Sequence, residues 1–109
     1  MNVLQILAKL KNIDRNIEVW INLDDSINGQ LMSNDKGILM AGTGIARGYP
    51  VKWLIAELMK LSPDEIVWAM NYDTGKMGMV EAMEVETIKM HANSRGYKAG
   101  EEIKMLMLK

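Results

Sequence analysis

Apolar residues recur at helical spacing at the start of the chain: Val3, Ile6, Leu7, Leu10 and Ile13 form one stripe, with Gln5, Lys9 and Lys11 turned outward. The pattern predicts an amphipathic helix that stops near Asn12 and Asp14. From Ile17 the period changes to two. Ile17, Val19, Ile21 and Leu23 alternate with Glu18, Trp20 and Asn22, as in a strand with one buried face. Asp24-Asp25-Ser26 and Asn28-Gly29 then turn the chain, and short strands over residues 30–33 and 38–41 flank an Asn34-Asp35-Lys36-Gly37 hairpin turn.

A second helix is written more clearly still. Pro50 suits a first turn, and Val51, Leu54, Ile55, Leu58 and Leu61 make one stripe opposite Lys52, Glu57 and Lys60. Ser62-Pro63-Asp64-Glu65 fits either a capping box or a turn, and we read it as a turn leading into a strand. Ile66, Trp68, Met70 and Tyr72 alternate with Val67, Ala69 and Asn71, and Trp68 reads as a core residue. Asp73-Thr74-Gly75 is a hairpin signal before a long run from Met77 to Met90, with a bulge expected at Gly78 or Glu81. After a polar loop over residues 92–100, a last strand carries Ile103, Met105 and Met107 on one face and Leu106 and Leu108 on the other. Both faces need cover, so a second subunit or the opposing half is expected there.

The two halves share an order of elements. Val19-Trp20 and Val67-Trp68 lie 48 residues apart, as do Arg47-Gly48-Tyr49 and Arg95-Gly96-Tyr97. Against a repeat, the stretch from Lys9-Leu10 to Trp20 is longer than that from Lys60-Leu61 to Trp68. The expected architecture is α+β: a single domain, residues 1–109, of two helix-plus-β-meander units (1–48 and 49–109). It is read as an internal duplication with an antiparallel sheet and helices on one side.

Val51-x-x-Leu54-Ile55-x-x-Leu58-x-x-Leu61-Ser62-Pro63-Asp64, followed by a strand, an acidic turn and the run Met79-Val80-Glu81-Ala82-Met83-Glu84-Val85-Glu86, resembles small phage and bacterial domains. These have a helix, a Leu-x-Pro-Asp turn and a β-hairpin. The resemblance covers residues 49–90 and extends more loosely to the first half. It implies a small, phage-borne α+β accessory protein and transfers no catalytic residue.

Composition narrows the chemistry. The 109 residues contain no cysteine, which removes disulfides, thiol nucleophiles and zinc–thiolate sites. Thirteen Lys and Arg against 14 Asp and Glu give a net charge of -1, too balanced for a general nucleic-acid binder. The N-terminus lacks the basic start of an export signal, and no apolar run reaches the roughly 18–20 residues of a membrane span, so a cytoplasmic protein is expected, in the host cytoplasm if phage-encoded. Eleven methionines and no phenylalanine point to soft packing or adaptable interfaces.

Gly42-Thr43-Gly44-Ile45-Ala46-Arg47-Gly48 separates a strand from the second helix, a context that can receive an anion. It lacks the Lys-Ser ending of a P-loop and the glycine spacing of a dinucleotide fingerprint. The candidate ligand-binding set is Gly42, Thr43, Gly44, Arg47, Tyr49, Lys52, Arg95 and Tyr97: guanidinium groups for phosphate, rings for stacking, and a helix N-terminus. Trp20, on the polar face of its strand, and Trp53, beside the helix stripe, are candidate partner anchors, with Met105 and Met107 on the last strand.

His91 with Ser94 lacks the orienting third group of a nucleophilic site. Asp24, Asp25 and Asp73 read as turn residues rather than cation ligands, and Glu84 and Glu86 as a solvated face. No catalytic residue, metal or cofactor is assigned. The expected function is that of a non-catalytic, homo-oligomeric binding protein, a phage counter-defence or accessory factor sequestering a host factor or a nucleotide-like signal. The alternatives are a protein–protein inhibitor without a small ligand and a small enzyme acting on a phosphorylated substrate.

Overall fold

The computed structural model describes residues 1–23, 26–28, 32–33, 37–41, 48–71, 73–93 and 96–109. The element order is α1 (Val3–Leu10), β1 (Glu18–Leu23), β2 (Ser26–Asn28), β3 (Met32–Ser33), β4 (Ile38–Ala41), α2 (Val51–Leu58), β5 (Trp68–Asn71), β6 (Met77–Met79), β7 (Met83–Lys89) and β8 (Glu102–Leu108). The α+β class holds. The antiparallel sheet holds only in part: the strands form two mixed sheets, β2-β1-β8-β7 and β3-β4-β5-β6. In each, the central pair is parallel, β1 with β8 and β4 with β5, and the outer pairs are antiparallel. Parallel neighbours need a crossover rather than a tight turn, and α2 supplies the one between β4 and β5.

Each half is a helix followed by four strands, and each sheet takes two strands from either half. Advancing every strand of β2-β1-β8-β7 by four places along the cycle of eight gives β6-β5-β4-β3, the second sheet. The backbone contacts follow the same relation. Val3 N–H donates to Glu65 O at 2.9 Å and Val51 N–H to Ile17 O at 2.9 Å; Leu4 N–H donates to Pro63 O at 3.1 Å and Lys52 N–H to Arg15 O at 2.9 Å. Val67 N–H reaches Met1 O at 3.0 Å, and Val19 N–H reaches Tyr49 O at 2.8 Å. The bridges Asn2 to Ile66 and Glu18 to Pro50 complete the set, every partner being displaced by 48. The helix that corresponds to Leu10 therefore ends at Leu58, not Leu61, and the unequal spacing to the tryptophans disappears.

These contacts also explain the helix starts. The first amides of a helix lack partners within it. Asn2 and Gln5 exchange side-chain bonds with each other's backbone N–H in a capping box at α1, whereas Pro50 offers α2 no such bond. In both helices the first two amides are taken by carbonyls of the other half.

The main core gathers equivalent residues from the two halves: Val3 and Val51, Ile6 and Leu54, Leu10 and Leu58, Val19 and Val67, Ile21 and Ala69, joined by Leu39, Val80, Leu106 and Leu108. Burying each Leu or Ile contributes about 1.5–3 kcal/mol. Val67, just before β5, and Ala69 and Asn71 on it are buried and Trp68 is half-buried, so Trp68 is not the core residue expected. The run from Met77 to Met90 is two strands, not one bulged strand: buried Val80 follows the first, and Glu81 N–H turns to Lys109 O at 2.8 Å. Ser62 to Glu65 form a turn, closed by Glu65 N–H on Ser62 O at 3.0 Å.

A second apolar cluster lies on the other face of β1 and β8, where Trp20, Tyr97, Ile103, Met105 and Met107 are buried with Ile88 and Met90 against them. Strand β8 is thus central and covered on both faces from within the chain.

Candidate functional site

Gly48 and Tyr97, one from each Arg-Gly-Tyr motif, meet at one carboxylate. Gly48 N–H donates to Glu18 Oε1 at 2.7 Å, and the Tyr97 hydroxyl donates to the same oxygen. Gly48 N–H also lies 3.4 Å from Tyr97 Oη. A Cβ at position 48 would sit 2.7 Å from Val19 O and 3.1 Å from the Trp20 ring, so only glycine permits this approach. Tyr97 tilts against Trp20 with ring centres 5.8 Å apart. Beside them, Trp20 Nε1 and Asn22 Oδ1 are buried without a hydrogen-bond partner. Each such group costs about 1–3 kcal/mol.

This geometry does not assemble the expected anion site from its described members. Tyr97 is 2% exposed, its ring packed and its hydroxyl engaged. Tyr49 is stacked on Trp53 with ring centres 4.5 Å apart. The amides of Val51 and Lys52, which would greet a phosphate at the helix N-terminus, already donate to carbonyls. The carboxylate of Glu18 at the meeting point repels an anion, by about 1 kcal/mol at 4 Å in water and about 4 kcal/mol near a protein surface. Gly42, Thr43, Gly44, Arg47 and Arg95 lie outside the described residues. The two segments are also not structural equivalents: Tyr49 leads into α2 and corresponds to Met1, whereas Tyr97 precedes β8.

The expected anchors fare differently. Trp20, Met105 and Met107 are 4%, 0% and 1% exposed and present no surface for a partner. The polar face of β1 is polar only in sequence, because Tyr97 packs on Trp20 there and Met105 and Met107 of the neighbouring β8 flank it. Trp53 is half-buried against the main core. His91 is exposed, Ser94, Asp24 and Asp25 lie outside the described residues, and Asp73 N–H closes an Asn71 side-chain turn at 3.0 Å. Glu84 pairs with Lys109 at 2.7 Å, and this hydrogen bond holds the Lys109 ammonium above the usual lysine range despite some desolvation, with help from the charges of Glu84 and Glu86. Among the described residues no cluster of three His, Asp or Glu could hold a metal ion, and no helix is long and apolar enough to cross a membrane.

Among the described residues, a concave feature with unspent charge lies between the helices. Leu7, Leu10 and Ile55 form the apolar walls of an open cleft of about 180 Å³, and Lys11 and Arg15 line it as well. Lys11 is the C-cap of α1, where a cation also suits the helix dipole, and Arg15 is held by the bond from Lys52 N–H to its carbonyl. Residues three and four apart are neighbours on a helix, so Leu4 and Lys11 share a face with Leu7, and Lys52 and Met59 share one with Ile55. No ion pair joins Lys11, Arg15 or Lys52 to a described residue.

Displacing each position by 48 shows what distinguishes this end of the groove. Lys11 corresponds to Met59, Arg15 to Pro63 and Lys52 to Leu4, so one end is cationic and the other apolar. Sequence reasoning passed over Arg15 and read Lys11 as an outward position. The signal was present in the 48-residue offset, once applied to Leu10 and Leu58. Comparison with known proteins adds no relative: no family model matches the chain, and neither a curated protein nor a solved structure is significantly similar to it.

Proposed function

We propose that this chain is a non-catalytic binding protein that docks an acidic, partly apolar segment of a partner protein in the groove between its helices. The observation that carries the reading is the cleft itself: three apolar walls with two cations, Lys11 and Arg15, that no described carboxylate neutralises. At about 180 Å³ it falls below the 300–1,000 Å³ of ordinary small-molecule pockets and suits one inserted side chain. The resemblance to phage accessory domains makes a host protein the partner class, occupied in a counter-defence role. Sequestration of a nucleotide-like signal draws no support from the engaged Tyr97 and helix amides.

Internal duplication belongs to the same reading. The hydrogen bonds and core residues that recur at an offset of 48 support a unit used twice, with Lys11, Arg15 and Lys52 standing opposite Met59, Pro63 and Leu4 at the groove.

The test is a nuclear magnetic resonance titration with a blocked Asp-Leu-Asp-Met-Glu peptide. Shifts are expected at Leu7, Leu10, Lys11, Arg15 and Ile55, fading as salt screens the charges. Shifts confined to the Glu18 and Tyr97 face, or none, would contradict the cleft as the docking surface.

A further inference from the structure

We infer that the groove is also a self-association surface, on which a second copy of this chain docks with its helix pair antiparallel to the first. This rests on the docking reading above and names one occupant of the same cleft.

The groove is complementary to itself end to end. Its far end is an apolar corner: Met59 is 72% exposed, Leu4 59% and Ile66 42%, and Leu4 is tied to Pro63 by its amide. Asp64 is exposed on that corner and has no ion pair with a described residue. The near end is a hole with cations, the far end a knob with a carboxylate. An eight-residue helix is about 12 Å long, so the two ends lie about that far apart along one strip. A two-fold axis through the middle of the strip, near Leu7 and Ile55, brings the corner of each molecule to the cleft of the other. Met59 enters between Leu7, Leu10 and Ile55 while Asp64 meets Lys11 and Arg15, and the contact is made twice. Such an isologous contact closes at two subunits. It also masks the cleft, so self-association competes with any other acidic segment for the same site.

Charge reversal with sedimentation analysis tests the inference. Wild type is expected to pass from monomer to dimer across a concentration series, with a mass that levels at two and a midpoint that rises with salt. K11E/R15E and D64K, all at exposed positions, should each weaken the dimer about tenfold or more while keeping the wild-type circular dichroism, and their equimolar mixture should restore it. Met59→Ala should weaken it without changing charge. A wild type that stays monomeric, a mass that grows beyond two, or a mixture that fails to restore the dimer would overturn the inference. If the chain is monomeric yet the Asp-Leu-Asp-Met-Glu peptide still shifts the cleft, only self-association falls; if the peptide leaves the cleft unmoved, the docking reading falls by itself.

Discussion

Val3 and Val51 open the two helices, and each gives its amide hydrogen to the helix–strand turn of the other half, Val3 to Glu65 and Val51 to Ile17, both at 2.9 Å. Each helix is therefore started by the half to which it does not belong. With strands of both halves paired in both sheets, neither half holds a complete structural unit.

The first prediction follows directly. Residues 1–48 and 49–109, prepared as separate chains, lack the parallel partners of β1, β4, β5 and β8 and should each be unfolded by far-ultraviolet circular dichroism. A cooperative thermal transition in either fragment alone would show that the halves do not depend on each other.

Gly48 yields the second prediction. Alanine there must push against Val19 O at 2.7 Å and the Trp20 ring at 3.1 Å, so Gly48→Ala should destabilise the chain by about 1–3 kcal/mol. That amounts to a fall in Tm of about 4–8 °C per kcal/mol for a domain near this size. Gly75 has open space where a Cβ would go and only a positive φ of 74° to resist it. Gly75→Ala should cost about 1–2 kcal/mol, from backbone conformation alone. A fully stable Gly48→Ala would contradict the close approach.

Much of this was legible beforehand. The helices followed from the spacing of Val3, Ile6 and Leu10 and of Val51, Leu54 and Leu58, because burial of one stripe is a local pattern. The pairing of Glu18 with Met105 was not, since alternation says which residues face inward but not which strand lies alongside. Trp20 misled for a related reason: a polar neighbour at Glu18 and Asn22 suggests solvent, yet Tyr97, distant in sequence, closes over that face. The cleft stayed hidden because Lys11 and Arg15 look like any outward cations until Met59 and Pro63 are set beside them.

Tyr97 separates the two candidate surfaces. Tyr97→Phe removes the hydroxyl that Glu18 accepts from but keeps the ring on Trp20, and the lost bond should cost about 1.5–3 kcal/mol because the acceptor is charged. Thermal melting should show that loss while binding of the acidic peptide stays at its wild-type affinity. If affinity falls along with stability, the Glu18 face takes part in binding and the cleft is not the whole site.

Core equivalence provides the fourth prediction. Ile6 and Leu54 are both fully buried at positions related by the 48-residue offset. Ile6→Ala and Leu54→Ala should each cost about 2–5 kcal/mol in chemical denaturation. A cost below about 1 kcal/mol at either would mean that the two helices do not share one packed core.

The claim that the cleft is a docking surface for acidic, apolar segments is tested most directly by calorimetric titration of the Asp-Leu-Asp-Met-Glu peptide and its lysine counterpart, Lys-Leu-Lys-Met-Lys, into wild type and K11E/R15E. Wild type is expected to bind the acidic peptide and not the basic one, and the double variant to reverse this preference. Equal affinity of the two proteins for the acidic peptide, or no heat from either peptide with either protein, would contradict it.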